Sequence, residues 1–414
     1  MTYTEELGIN AKKAEASIRG ITQQKKNDAL DAIAKALTEN TERIIAANRL
    51  DLENAVKNNM SPAMQDRLKL DQKRISDIAE GVLKIAALPD PVGRVLGGRE
   101  LPNGLKIVKK SVPLGVVGII FESRPNVTVD AAALCLKSGN VSVLRGGSDA
   151  INSNKCLTEI MRSALRKTGI DENVIALVED TSRETVSELM KLNRYIDVLI
   201  PRGGHSLIQN VVNNSTIPVI QTGEGNCSVY VDSSADIEMA VNIIDNGKTQ
   251  RPSVCNAIEN ILVHKDIAEK LLPALQQRWS GKVKILGDER AAEIIKTEGN
   301  ATEEDYSREF LDYIIAVKVV NSLEEAIDFI NRYGTRHSEC IVTKDLSNAE
   351  RFQQEVDAAA VYVNASTRFT DGGQFGMGAE IGISTQKLHA RGPMGLEEMT
   401  AYKYLIYGNG QVRE

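Results

Sequence analysis

From residue 113 onward the chain predicts an α/β fold built on parallel sheets. Three observations carry that prediction. Short apolar runs recur at 115–120, 141–144, 174–178, 196–200 and 217–220; helical stretches such as 129–137 and 183–191 fill the gaps; glycine and proline punctuate the junctions. Continuous apolar strands alternating with helices are what a parallel sheet covered on both faces requires. After residue 226 the alternation resumes, with runs at 229–231, 258–263, 313–319 and 341–343. At 414 residues the chain exceeds one hydrophobic core and should divide into two or three domains.

The first ninety residues read as helices. Leu30, Ile33 and Leu37 share one face, as do Ile75, Ile78, Val82 and Ile85. Ser61-Pro62 supplies an N-cap followed by proline at the first helical position. Leu88-Pro-Asp-Pro closes this part. Asn103-Gly104 then stands between two strand-like arms, a strong hairpin signal. The hairpin reads either as a charged surface edge or as an arm reaching to another subunit. The tail 401–407 alternates like a strand and can pair with it.

Ligands on parallel sheets sit beyond the carboxyl ends of the strands, so the residues after each run come first. They are Phe121-Glu-Ser-Arg-Pro-Asn126, Arg145-Gly-Gly-Ser148 and Pro201-Arg-Gly-Gly-His205. The Gly-Gly turns let backbone amides approach an anion at a helix N-terminus, and each has an arginine beside it. They equally suit plain strand-to-helix turns. Neither GxGxxG nor a P-loop is present. In the second half, Asn246-Gly-Lys-Thr-Gln-Arg-Pro-Ser-Val-Cys255 sets one cysteine behind two cations, Lys248 and Arg251. Cations favour the thiolate that makes a cysteine nucleophilic, whereas most cysteines are simply buried. Its position near the start of the second domain puts it where pockets form, at a domain junction. The stretch 363–373, rich in hydroxyls with one arginine, suits a small anion or an ordinary polar loop.

Composition narrows the class. A net charge of -6 argues against a nucleic-acid partner, and no apolar run nears a membrane span. The N-terminus is acidic where a secretion signal is basic. Five irregularly spaced cysteines make no disulfide framework, and no metal motif appears. A cytoplasmic, metal-free protein with reduced thiols is expected.

Pro113-Leu-Gly-Val-Val-Gly-Ile-Ile, the asparagine that follows it and the lone cysteine after an Asn-Gly opening resemble the aldehyde dehydrogenase superfamily. Phe121-Glu-Ser-Arg-Pro-Asn-Val, Arg251-Pro-Ser-Val-Cys-Asn, Val363-Asn-Ala-Ser-Thr-Arg-Phe-Thr-Asp-Gly and His389-Ala-Arg-Gly-Pro-Met-Gly are similar to an acyl-phosphate-reducing branch of it. The likeness covers essentially the whole chain. It implies an aldehyde-dehydrogenase-like fold: two doubly wound α/β domains plus a small oligomerisation element. The cofactor domain would comprise 1–98 and 113–223, rejoined by 375–400. The catalytic domain would be 224–374, and 99–112 with 401–414 would join subunits into a homodimer or a dimer of dimers.

The resemblance also implies an activity: NADPH-dependent reduction of L-glutamyl 5-phosphate to L-glutamate 5-semialdehyde, a step of proline biosynthesis. Functional coupling to a glutamate kinase is left open. Carried over by position, Cys255 is the nucleophile and Asn126 an oxyanion donor. Arg145, Gly146, Ser148, Gly203 and Gly204 fall at cofactor phosphates, and Glu309 and Phe310 at the cofactor, the glutamate on its ribose. Ser366, Thr367 and Arg368 form the substrate loop, with Arg124 and Lys248 for the substrate's anions. His337 and His389 are candidate proton donors. One departure stands out: Gln221 replaces the glutamate base of the hydrolytic members, although Glu224 lies nearby. A hydrolytic semialdehyde dehydrogenase and a non-catalytic metabolite-binding protein with Cys255 buried are the alternatives.

Overall fold

The computed structural model describes residues 1–413, with only the helical position of Ala63. The chain forms two compact units, Met1–Gln221 with Gly376–Gly382 and Met394 onward, and Thr222–Phe375 with Ile383–Pro393. The stretch 375–400, expected to rejoin the first unit whole, is therefore divided between the two.

The first unit opens with five helices: α1 (Tyr3–Ile18), α2 (Gln23–Glu39), α3 (Thr41–Lys57), α4 (Pro62–Leu68) and α5 (Gln72–Ala87). Thr2, Thr22, Ser61 and Asp71 cap their helices by accepting from a backbone amide of the first turn. The stripes predicted on α2 and α5 are buried. Strands β1 (Val95–Glu100) and β2 (Lys106–Pro113) form the antiparallel hairpin around Gly104, whose φ of 81° suits glycine. On its other edge β2 pairs antiparallel with the tail strand Thr400–Tyr407.

A four-stranded parallel sheet follows, from β3 (Val116–Phe121), α6 (Pro125–Lys137), β4 (Val141–Arg145), α7 (Ile151–Lys167), β5 (Ile175–Leu177), α8 (Arg183–Leu189), β6 (Val198–Arg202) and α9 (His205–Asn214). The strand order is β5-β4-β3-β6: all four strands are parallel, and the order of winding changes sense at β3, with β4 and β5 added on one side and β6 on the other. The run 217–220 is not a strand. Pro218 lacks an amide proton, and only Leu199 bridges to Val219.

The second unit is built from β7 (Cys227–Val231), α10 (Ile237–Thr249), β8 (Ile258–His264), α11 (Lys265–Trp279), β9 (Lys284–Gly287), α12 (Glu289–Ile294), β10 (Gly299–Asn300), α13 (Glu303–Tyr306), β11 (Ile314–Val320), α14 (Leu323–Tyr333), β12 (Ser338–Val342), α15 (Leu346–Glu355) and β13 (Ala360–Val363). Its seven strands are parallel in the order β10-β9-β11-β8-β7-β12-β13. Successive side chains go to opposite faces, as the pleat dictates. Val229, Val231, Ile261 and Val317 pack with α10 and α11, while Tyr230, Leu262, Ala316 and Ile341 pack with α14 and α15.

Candidate active site

The cysteine loop is shaped by the helix before it. Helix α10 runs through Asn246-Gly247 and on to Thr249. Ala240, Ile243, Ile244, Gly247 and Lys248 then share one buried face, and a Cβ on Gly247 would lie 3.2 Å from Ile258. Lys248 is thereby fully buried, its Nζ bonded to the Glu259 carboxylate of β8 and donating to the Ile258 carbonyl at 3.0 Å. This corrects its expected role: an ammonium spent on a buried carboxylate is not offered to a substrate. The pair instead closes the base of the loop that carries Cys255.

Cys255 is half-exposed, whereas Cys135, Cys156, Cys227 and Cys340 are buried. Its carbonyl is held from two sides. A Cβ on Gly225 would lie 1.4 Å from that oxygen, and the Cys227 thiol donates to it at 3.2 Å. The next residue is also fixed. The Thr367 hydroxyl donates to the Asn256 carbonyl at 2.7 Å, and Asn256 Nδ2 donates to the Thr370 carbonyl at 2.9 Å. Thr367 is fully buried, so its expected substrate contact is also corrected: the hydroxyl is spent on the loop that carries Cys255. Ser366 accepts from the Arg368 amide at 3.3 Å and caps the short turn Thr367–Phe369.

Arg368 is half-buried and its Nε donates to Gln250 at 2.9 Å. Burial and then the neighbouring Arg251 lower its proton affinity, while Cys255 opposes them. Arg368 thus lies within electrostatic reach of both Cys255 and Arg251.

Glu309 accepts from the Gly225 amide at 2.9 Å, and Glu259 accepts from the Leu311 amide at 3.3 Å. Burial, with Glu224 adding to it, raises the Glu309 pKa. Phe310 has the Arg308 guanidinium 5.8 Å from its ring centre. His337 is fully buried beside Ser338 Oγ at 2.8 Å, and burial holds its pKa down at about 4. Fully buried and neutral above that pH, it offers no imidazolium to solvent or to a bound molecule, which weighs against it as a candidate proton donor. His389 is exposed, with a φ of 68°. These groups precede β7, β8, β11 and β12, so Cys255 sits at the amino edge of its sheet, opposite the edge that strand-end reasoning favours.

In the first unit, Pro125 occupies the first position of α6 and Asn126 the next. Asn126 Nδ2 donates to Asp130 Oδ2 at 2.9 Å. Arg124, exposed, precedes the helix. Arg145 ends β4; its Nη2 donates to the Thr181 carbonyl at 2.7 Å, while its buried Nε has no hydrogen-bond partner. Burial lowers its proton affinity. A Cβ on Gly146 would come within 2.2 Å of Asn154 Nδ2 and 3.0 Å of the Phe121 ring, so any larger residue there must move a buried side chain. Ser148, exposed, opens the short turn Ser148–Ala150. At the second glycine turn the Gly204 amide donates to Glu122 Oε2 at 2.9 Å, and Gly203 packs against the same carboxylate. Glu122 thus holds the anion-favouring end of α9 that the sequence reading left to a cofactor phosphate.

The aldehyde dehydrogenase family model matches residues 5–294 and 303–405. Gamma-glutamyl phosphate reductase of Clostridium novyi is 56% identical over 99% of both chains, and that of Lachnospira eligens 56% identical over the whole of both. The chain belongs to the gamma-glutamyl phosphate reductases of the aldehyde dehydrogenase family. It is therefore an oxidoreductase, and the family works with NAD(P). The crystal structure of the Thermotoga maritima gamma-glutamyl phosphate reductase superimposes with a TM-score of 0.98 at 48% identity, covering both chains completely. An acetylating aldehyde dehydrogenase of Geobacillus thermoglucosidasius, 19% identical, shares the fold with a TM-score of 0.71.

Proposed function

We propose that the enzyme reduces L-glutamyl 5-phosphate to L-glutamate 5-semialdehyde and inorganic phosphate, with NADPH as reductant and Cys255 as nucleophile. The observation that carries this reading is a half-exposed cysteine, pinned at its carbonyl by Gly225 and Cys227, with Arg368 bearing on it and Arg251 beside Arg368. The guanidinium pair favours the thiolate and suits an anionic substrate. The thiolate adds to the acyl carbon, the C–O bond to phosphate breaks, and a thioester to Cys255 remains. Addition places charge on the acyl oxygen, and the side-chain amide of Asn126 with the backbone amide of Cys255 are the proposed donors to it.

Arg145 supports a cofactor phosphate: an orphaned buried Nε beside a turn where a Cβ would meet buried side chains is a donor set in want of an anion. Gly146 and Ser148 complete that turn, and the extra phosphate of NADP suits the arginine. Gly203 and Gly204 are proposed on the same side. Glu122 is exposed, so a phosphate reaching Gly204 displaces a side chain and not backbone. Glu309 and Phe310 are proposed for the nicotinamide end, with Glu309 already oriented by Gly225. When bound, the nicotinamide supplies the hydride that takes the acyl group to the aldehyde level. Collapse of the resulting hemithioacetal releases the semialdehyde and restores Cys255. Arg124, Ser366 and Arg368 are proposed for the substrate's charged groups.

Phosphate can discharge the thioester in the reverse direction without a base, and Gln221 supplies none. The test runs the reaction backwards with glutamate semialdehyde and NADP. NADPH should appear only when phosphate or arsenate is present. Turnover without either, with free glutamate accumulating, would make water the acceptor and overturn the assignment. We further propose a cytoplasmic homo-oligomer joined through the sheet of β1, β2 and the tail strand, where Tyr402, Tyr404, Ile406 and Tyr407 are exposed. Among the described residues no helix is long and apolar enough to cross a membrane.

A further inference from the structure

Asn126 and Asp130 stand four residues apart on α6 and so share a face, and Asn126 Nδ2 donates to Asp130 Oδ2 at 2.9 Å. A side-chain amide has two ends of nearly equal shape, one that only donates and one that only accepts. An oxyanion donor works only if nitrogen is the end presented; the oxygen in its place repels the developing charge. An ionised carboxylate accepts and cannot donate. Bonded to Asp130, the amide must keep its nitrogen on that side, with one N–H engaged and the second left for another acceptor.

We propose that Asp130 is a positioning residue for the reaction, holding the amide of Asn126 in the one orientation that offers a proton to the acyl oxygen. The proposal rests on the reading of Asn126 as the oxyanion donor. The charged group that faces Asp130 from outside its own helix is Arg202, at the end of β6. Burial pushes the Asp130 pKa up to about 6, against the pull of Asn126 and Arg202. Once protonated, the carboxyl can donate as well as accept, and the opposite amide orientation becomes available. Activity therefore rises with pH through a limb near 6 that belongs to Asp130.

The test uses the full-length enzyme in the reverse reaction, with Asp130→Asn as a near-isosteric variant that keeps volume and loses the acceptor-only character. At pH 7.5 kcat should fall about tenfold, a part of the 10²–10³ that deleting an oxyanion donor costs. KM for the semialdehyde should stay within about twofold, and the limb near pH 6 should vanish. Alkylation of Cys255 by iodoacetamide should keep its native rate, because displacement at a saturated carbon forms no oxyanion. Asn126→Ala and the double variant complete the cycle. If Asp130 acts through Asn126, the double variant loses no more than Asn126→Ala alone. Losses that multiply would assign Asp130 a separate, structural effect and overturn the proposal. Native kcat and an intact limb in Asp130→Asn, with Asn126→Ala strongly impaired, would overturn it while leaving the oxyanion reading standing. An unimpaired Asn126→Ala would remove that reading, and the proposal with it.

Discussion

His337 shows how burial alone can remove a residue from the chemistry. In the unfolded chain its ring titrates near 6.5, and in the folded protein near 4, so the unfolded state binds the extra proton between those values. Stability is fully present above pH 6.5 and is lost as pH falls towards 4, by roughly 3 kcal/mol for that one ring. His337→Asn should flatten this acid limb in urea melts at pH 4.5 and 7.5. An unchanged difference between the two pH values would assign acid lability elsewhere. At this scale the sequence was legible where the chemistry of a single side chain dominates, as for the lone half-exposed cysteine. It was illegible where a contact joins distant turns. Nothing local in Phe121-Glu-Ser announces that Glu122 will cap a helix beginning 83 residues later. Asp130, by contrast, lies at i+4 from Asn126 and could have been read from helical spacing.

Among the elements, α10 and β8 are tied together by the Lys248–Glu259 pair at the base of the loop that carries Cys255. Asn-Gly suggested a break at 246–247, yet Ala240, Ile243, Ile244, Gly247 and Lys248 follow a helical stripe straight through it. A second signal was a lone carboxylate, Glu259, which with Asn260 interrupts the run 258–263 and which burial makes costly unless a cation meets it. Removing one partner of such a pair strands the other charge. Lys248→Met should cost about 3–5 kcal/mol in chemical denaturation, and adding Glu259→Met should restore most of it. A Lys248→Met variant as stable as the native enzyme would mean the carboxylate is satisfied without the lysine. The run 217–220 failed as a strand for a reason equally local, the missing donor of Pro218.

For the whole molecule, alternation of strands and helices was enough to foresee two parallel-sheet units, since periodicity survives without any knowledge of pairing. The edge of the second sheet at which Cys255 sits was not foreseeable that way. Loops at both edges follow the same apolar punctuation, and the close approach of Gly225 to the Cys255 carbonyl is a contact between distant turns. The hairpin and the tail were foreseeable as strands, and β2 lies between β1 and the tail strand. Deleting residues 402–414 strips one edge of β2 and removes the exposed tyrosines of the tail. Sedimentation velocity should then show a smaller species at concentrations where the native enzyme is associated; an unchanged profile would move the interface elsewhere.

Gly225 sets a limit on how this enzyme can vary. Every other amino acid brings a Cβ, and here that atom would fall 1.4 Å from a backbone oxygen that no rotamer change can move aside. Shifting the carbonyl shifts the nucleophile, and a displacement of about 1 Å can cost on the order of 100-fold in rate. A saturation library at position 225 selected for turnover should return one codon family. Arg251, exposed and so under no packing constraint, should return only cationic residues in the same selection. Two positions near one cysteine would thus vary under different rules, one frozen by the space behind the carbonyl and the other held to a charge and not to a shape.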